Sequence, residues 1–112
     1  MDAHLYALQA VDVLGLPYGP IKIGWTADLD RRKAEIRAWL PEGHDVVRLF
    51  SVPGSKAGAQ LLESRLHGQI DHHRIPTKNA PGNSREWFAN TPEVWRVLDV
   101  TYRRLVTEQG AA

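Results

Sequence analysis

Two apolar runs separated by a turn-forming stretch constrain this chain most. Leu5-Tyr6-Ala7-Leu8-Gln9-Ala10-Val11 has strand character, and Gly15, Pro17, Gly19 and Pro20 interrupt regular structure before Ile21-Lys22-Ile23 resumes an apolar–polar alternation. Two such runs so close in the chain predict an antiparallel hairpin. A hairpin alone cannot bury its apolar face, so the remaining elements must cover it.

The rest of the chain supplies that cover. Gly24 and Thr26 close the second strand, Asp28 can cap a helix, and that helix runs to about Leu40, where Pro41 and Gly43 stop it. Asp45 to Val52 is a third strand candidate ended by Pro53-Gly54, and Ser55 caps a second helix reaching about Ile70. Residues 71–85 read as loop, and Trp87-Phe88 as a short apolar anchor. Thr91-Pro92 opens a last helix, with proline at the first position, where its missing N–H costs nothing. On that helix Val94, Leu98, Thr101, Tyr102 and Leu105 share one face, which should pack on the sheet. The expected fold is α+β: a small, three-stranded, mainly antiparallel sheet flanked by helices in the order β-β-α-β-α-α, as one domain over residues 1–112.

Composition narrows the function classes. The 112 residues are 43% hydrophobic and 24% charged, a globular mixture large enough for one core. No cysteine is present, so any metal takes oxygen or imidazole ligands. Met1-Asp2-Ala3-His4 lacks the basic start and apolar run of a signal peptide, and no apolar stretch reaches membrane-spanning length. The expectation is a soluble, cytoplasmic protein without a membrane partner. A net charge of +1 is too small for a general nucleic-acid coat, although Arg31, Arg32, Lys33 and Arg37 bunch together, as do Arg96, Arg103 and Arg104.

Helical phase sorts the chemistry-bearing side chains. In the first helix Leu29, Ile36 and Leu40 lie within about 20° of a common direction, and Arg32 falls about 60° from it, on the core side. Such an arginine either snorkels to water or answers a buried partner or anion. In the second helix Ala59, Leu62, Leu66 and Ile70 make the buried stripe, with Glu63 and His67 on its shoulder one turn apart. That pair can share a metal or a water, or be an ordinary boundary contact. Tyr6 lies in an apolar strand, where a phenol is usually core packing. Lys22, between two isoleucines, reads as a solvent-facing lysine. The adjacent His72 and His73 read as polar loop, since neighbours point apart and no third ligand lies at a diagnostic spacing.

Taken in order, these pieces resemble the GIY-YIG nuclease superfamily. His4-Leu5-Tyr6 stands where that family has its first motif, and Ile21-Lys22-Ile23-Gly24-Trp25-Thr26 resembles the second. Arg32 fits the arginine of the following helix, and Glu63 the metal-binding glutamate of the next. The match is to a phage and bacterial branch whose second motif reads Lys-Ile-Gly, with Glu followed four residues later by His, here Glu63 and His67, and a downstream Glu-Trp-Phe, here Glu86-Trp87-Phe88. Two positions depart from the commoner pattern: Lys22 replaces the second-motif tyrosine, and His4 replaces the first-motif glycine.

The resemblance implies hydrolysis of DNA phosphodiesters by a divalent-metal-dependent endonuclease. It assigns a magnesium or manganese ion to Glu63, phosphate contact to Arg32, and handling of the water to Tyr6 and Lys22, with His67 orienting Glu63 and Glu86 supporting the site. The alternatives are a catalytically inactive module of the same fold that binds DNA or a protein, and an interaction domain with no nucleic-acid role. A domain so small leaves room for a homodimer or a partner protein.

Overall fold

The computed structural model describes residues 2–111, with the side chains of 2, 83 and 106–111 outside the description. Strand β1 (Asp2–Val11) and strand β2 (Pro17–Thr26) form the expected hairpin. Its turn is shorter than the glycines and prolines suggested, because the Asp12 carboxylate accepts from the Leu14 and Leu16 N–H groups at 2.9 and 3.0 Å. Pro17 and Pro20 therefore sit in β2 instead of in the loop.

Helix α1 (Leu29–Trp39) starts at Asp28, whose side chain accepts from the Arg31 N–H at 3.0 Å. Strand β3 (Asp45–Ser55) pairs with β1, and helix α2 (Lys56–Ile70) starts at Ser55, whose hydroxyl accepts from the Gly58 N–H at 3.0 Å. Residues 71–83 form three short 3-10 turns. Helix α3 (Pro92–Ala111) follows as expected.

One correction concerns the sheet. Trp87–Phe88, expected as an apolar anchor, is a fourth strand, β4, paired antiparallel to β2 with Phe88 opposite Ile21 and Trp87 opposite Lys22. The sheet is four-stranded, ordered β3-β1-β2-β4, and every pairing is antiparallel. A two-residue strand carries too little alternation to show in sequence.

The sheet has helical cover on one side and mixed cover on the other. Leu5, Ala7, Ile21, Ile23, Phe50 and Phe88 pack against Leu66 and Ile70 of α2 and Val94 and Leu98 of α3. On α3, Tyr102 stacks on Phe50 with centroids 5.5 Å apart, and Leu105 packs against the same core. On the opposite face Tyr6, Leu8, Val46 and Trp87 meet Ile36 of α1 and Ala80 of the 71–83 segment. No helix among the described residues is long and apolar enough to cross a membrane.

Candidate active site

Strand pairing assembles the cluster. Tyr6 lies opposite Gly24 and Leu8 opposite Lys22, so Tyr6, Gly24 and Lys22 share the face covered by α1 and residues 71–83. A methyl group added at Gly24 would stand 2.7 Å from the Tyr6 hydroxyl and 2.9 Å from Glu86 Oε2, so any side chain here would have to displace these two groups.

Lys22 overturns its solvent-facing expectation, with only 1% of its side chain exposed. Its ammonium donates to Glu86 Oε2 at 2.7 Å and Ser84 Oγ at 3.0 Å, and lies 5.5 and 5.6 Å from the rings of Trp39 and Trp87. The cause is β4, which covers the β2 edge where Lys22 would otherwise meet water, while the preceding segment brings Ser84 and Glu86 over it. Burial pulls the Lys22 pKa below the ordinary lysine value, and the Glu86 carboxylate opposes that pull.

Tyr6 is fully buried, and among the described residues its hydroxyl meets no partner at full hydrogen-bond geometry. Burial and the Glu86 charge push its pKa far above the phenol range, with the nearby Arg32 guanidinium opposing them. The helical phase expected for α1 holds: Arg31 is 79% exposed and Arg32 is 31% exposed, both beside Glu35 at 3.5 and 3.2 Å.

Glu63 enters from the shoulder of α2, half-buried. Its Oε2 is shielded from solvent and has no hydrogen-bond partner among the described residues. Burial first, then the Glu86 charge, raise its pKa from 4.5 to about 7, against the pull of Lys22, the Trp25 N–H and Arg32. Tyr6, Lys22 and Glu63 each feel Arg32 and Glu86, so the five groups form one electrostatic cluster drawn from β1, β2, α1, α2 and the segment before β4.

His67 turns elsewhere. Expected to orient Glu63, it instead donates from Nε2 to the Ile23 carbonyl at 2.9 Å and tilts against Phe88 at 4.9 Å. Burial lowers its pKa, so the neutral ring serves as a clamp between α2 and β2. Glu86 moves the other way: expected to give support only, it is the ion-pair partner of Lys22 and acts on Glu63 and Tyr6. Its Glu-Trp-Phe motif was visible, but the strand pairing that aims the carboxylate was not.

The family model of the T5orf172 domain matches residues 3–105. The chain belongs to the T5orf172 domain family. This domain is found in phage and bacterial nuclease-like proteins, and the match spans the whole cluster from Tyr6 to Glu86. No curated protein and no solved structure matches the chain.

Proposed function

We propose that this T5orf172 domain is a GIY-YIG-type endonuclease that hydrolyses DNA phosphodiesters with one divalent cation. The observation that carries the reading is the convergence of Tyr6, Lys22, Arg32 and Glu63 with Glu86 in one electrostatic cluster, with the Glu63 Oε2 left unpartnered among the described residues. A buried carboxylate oxygen that is half-ionised near neutral pH fits a hard cation, which offers the partner the protein lacks. Magnesium or manganese held at Glu63 supplies charge relief to the phosphate.

The other groups divide the remaining work. Arg32 is half-buried, and its Glu35 partner is solvent-screened, so a phosphate can compete for the guanidinium. Tyr6, pushed up by burial, keeps its proton and donates a hydrogen bond to the phosphate or to the attacking water. Lys22, pulled down by burial, is the better proton acceptor. Glu86 at 2.7 Å holds the Lys22 ammonium, and once that ammonium passes a proton to solvent its amine can take one from the attacking water. His67 positions β2 and takes no proton.

A second reading is a silent DNA-binding module of the same fold. It is favoured by the 2.7 Å Lys22–Glu86 pair, a geometry that suits a permanently charged lysine. Incubation with supercoiled plasmid and Mg²⁺ or Mn²⁺, with and without chelator, separates the two. Metal-dependent nicking is expected; a mobility shift without cutting would replace the first reading with the second. Lys22→Arg, which keeps the cation but cannot release its proton, is expected to lose activity as fully as Lys22→Met. A cutting arginine variant beside a dead methionine variant would reduce Lys22 to phosphate positioning.

A further inference from the structure

His72 and His73 overturn the expectation that neighbouring side chains point apart. They lie in the 3-10 turn Asp71–His73, and their rings tilt against one another with centroids 4.2 Å apart. Both Nε2 atoms face the same oxygen, Oε2 of Glu93 in the first turn of α3, at 3.3 Å from His72 and 2.6 Å from His73. The third ligand was invisible in sequence because it stands 20 residues further on, in a different element.

We propose that His72, His73 and Glu93 form a second cation site, selective for a zinc-class ion, that staples the turn after α2 to the start of α3. Their three ligand atoms lie within 4.8 Å of one another. Around a tetrahedral ion with bonds of about 2.0–2.1 Å, ligand atoms stand roughly 3.3 Å apart. The His72–Glu93 spacing already has that value, and His73 needs only a small retreat.

The backbone holds the ligands in place. The His73 carbonyl accepts from the Ala89 N–H at 2.8 Å, Arg74 N–H closes the turn on the Asp71 carbonyl at 3.0 Å, and Arg74 bridges to Phe88 of β4. Little ordering is left for an ion to impose. All three side chains also remain open to solvent, with His72 the most exposed, so an ion has a path in and a water can complete the shell.

The donor set decides the ion. Two imidazoles and one carboxylate suit zinc and similar borderline cations, whereas magnesium prefers all-oxygen shells rich in water. The domain would then hold a hard cation at Glu63 and a borderline one at His72, His73 and Glu93. The second site is independent of the nuclease reading, because it shares no residue with that cluster.

Calorimetry and thermal melting of the whole chain with Zn²⁺, without DNA, test it. Expected are a single zinc equivalent bound, a melting temperature raised by several degrees, and no competition from millimolar Mg²⁺. His72→Ala/His73→Ala and, separately, Glu93→Gln should lose both effects, and Glu63→Gln should keep them. The glutamine variant retains a hydrogen-bonding side chain and protects the test against misfolding of the double mutant. No zinc binding by the wild type, or binding that survives these substitutions, would overturn the site.

Discussion

The two faces of the sheet follow different rules. Beneath α2 and α3, Leu5, Ala7, Ile21, Ile23, Phe50 and Phe88 build an apolar core, and the polar His67 placed against it is tied off on a carbonyl. On the α1 side, alternate positions of the same strands carry Tyr6 and a buried Lys22, with the Tyr6 hydroxyl, His4 Nδ1 and Trp87 Nε1 lacking hydrogen-bond partners among the described residues. Buried polar atoms are normally paired, so these atoms set this face apart from the apolar one. The first face carries the apolar core; the second carries the buried polar groups.

The largest expected effect sharpens the division at its chemical end. Glu63→Gln keeps the volume and removes the anionic ligand, so cleavage should fall on the order of 10³-fold while the melting temperature holds or rises. Single-turnover cleavage at saturating Mg²⁺ measures it, and a wild-type rate would break the link between Glu63 and the cation.

The apolar face should answer in the opposite currency. Leu66→Ala opens a cavity beneath the sheet and should cost about 2–5 kcal/mol in denaturant unfolding. Cleavage per folded molecule should stay near wild type. A selective loss of rate at unchanged stability would mean that the two faces are not separate.

An asymmetry within the Lys22–Glu86 pair comes next. Lys22 is 1% exposed and Glu86 28%, so removing the carboxylate strands a buried cation, while removing the lysine leaves an acid that water can reach. Glu86→Ala should cost about 2–3 kcal/mol and Lys22→Met under about 1 kcal/mol. Because the folded Lys22 pKa lies below 10.5, the unfolded chain binds the extra proton, and the Glu86→Ala deficit should shrink as pH rises toward that value. Equal losses in the two variants would contradict the burial.

The Glu63 carboxyl predicts a smaller, pH-dependent signature. Its folded pKa of about 7 exceeds the 4.5 of the free group, so the folded state binds more protons between those values. Without divalent ions, stability should therefore fall as pH rises from about 4.5 to 7 and level off above, by about 1–2 kcal/mol after allowance for its half exposure. Glu63→Gln should flatten that slope, and cation binding should strengthen over the same range as the carboxylate ionises. A slope that persists in the variant would assign it to another group. Smallest of all, Arg31→Ala should change stability by less than about 0.5 kcal/mol and leave cleavage intact, since its side chain is 79% exposed. A marked effect would break the phase distinction between Arg31 and Arg32.

What the sequence determined by itself is what depends on short-range order. The hairpin, the caps at Asp28 and Ser55, the start of α3 at Pro92 and the core-side phase of Arg32 and Glu63 follow from turn chemistry and helical period. The fold class was legible, and the family resemblance named the groups of the cluster, although the residues alone read Lys22 as solvent-facing and Tyr6 as core packing. Tertiary structure alone decided the rest, because those contacts join residues far apart in the chain. Lys22 is buried because β4 and the segment before it return 62–64 residues later, His67 is withdrawn from Glu63 by a carbonyl 44 residues away, and His72 and His73 find Glu93 across a turn. A two-residue strand leaves no periodic trace, and the direction of an adjacent histidine pair is set by a partner on another element that local composition does not specify.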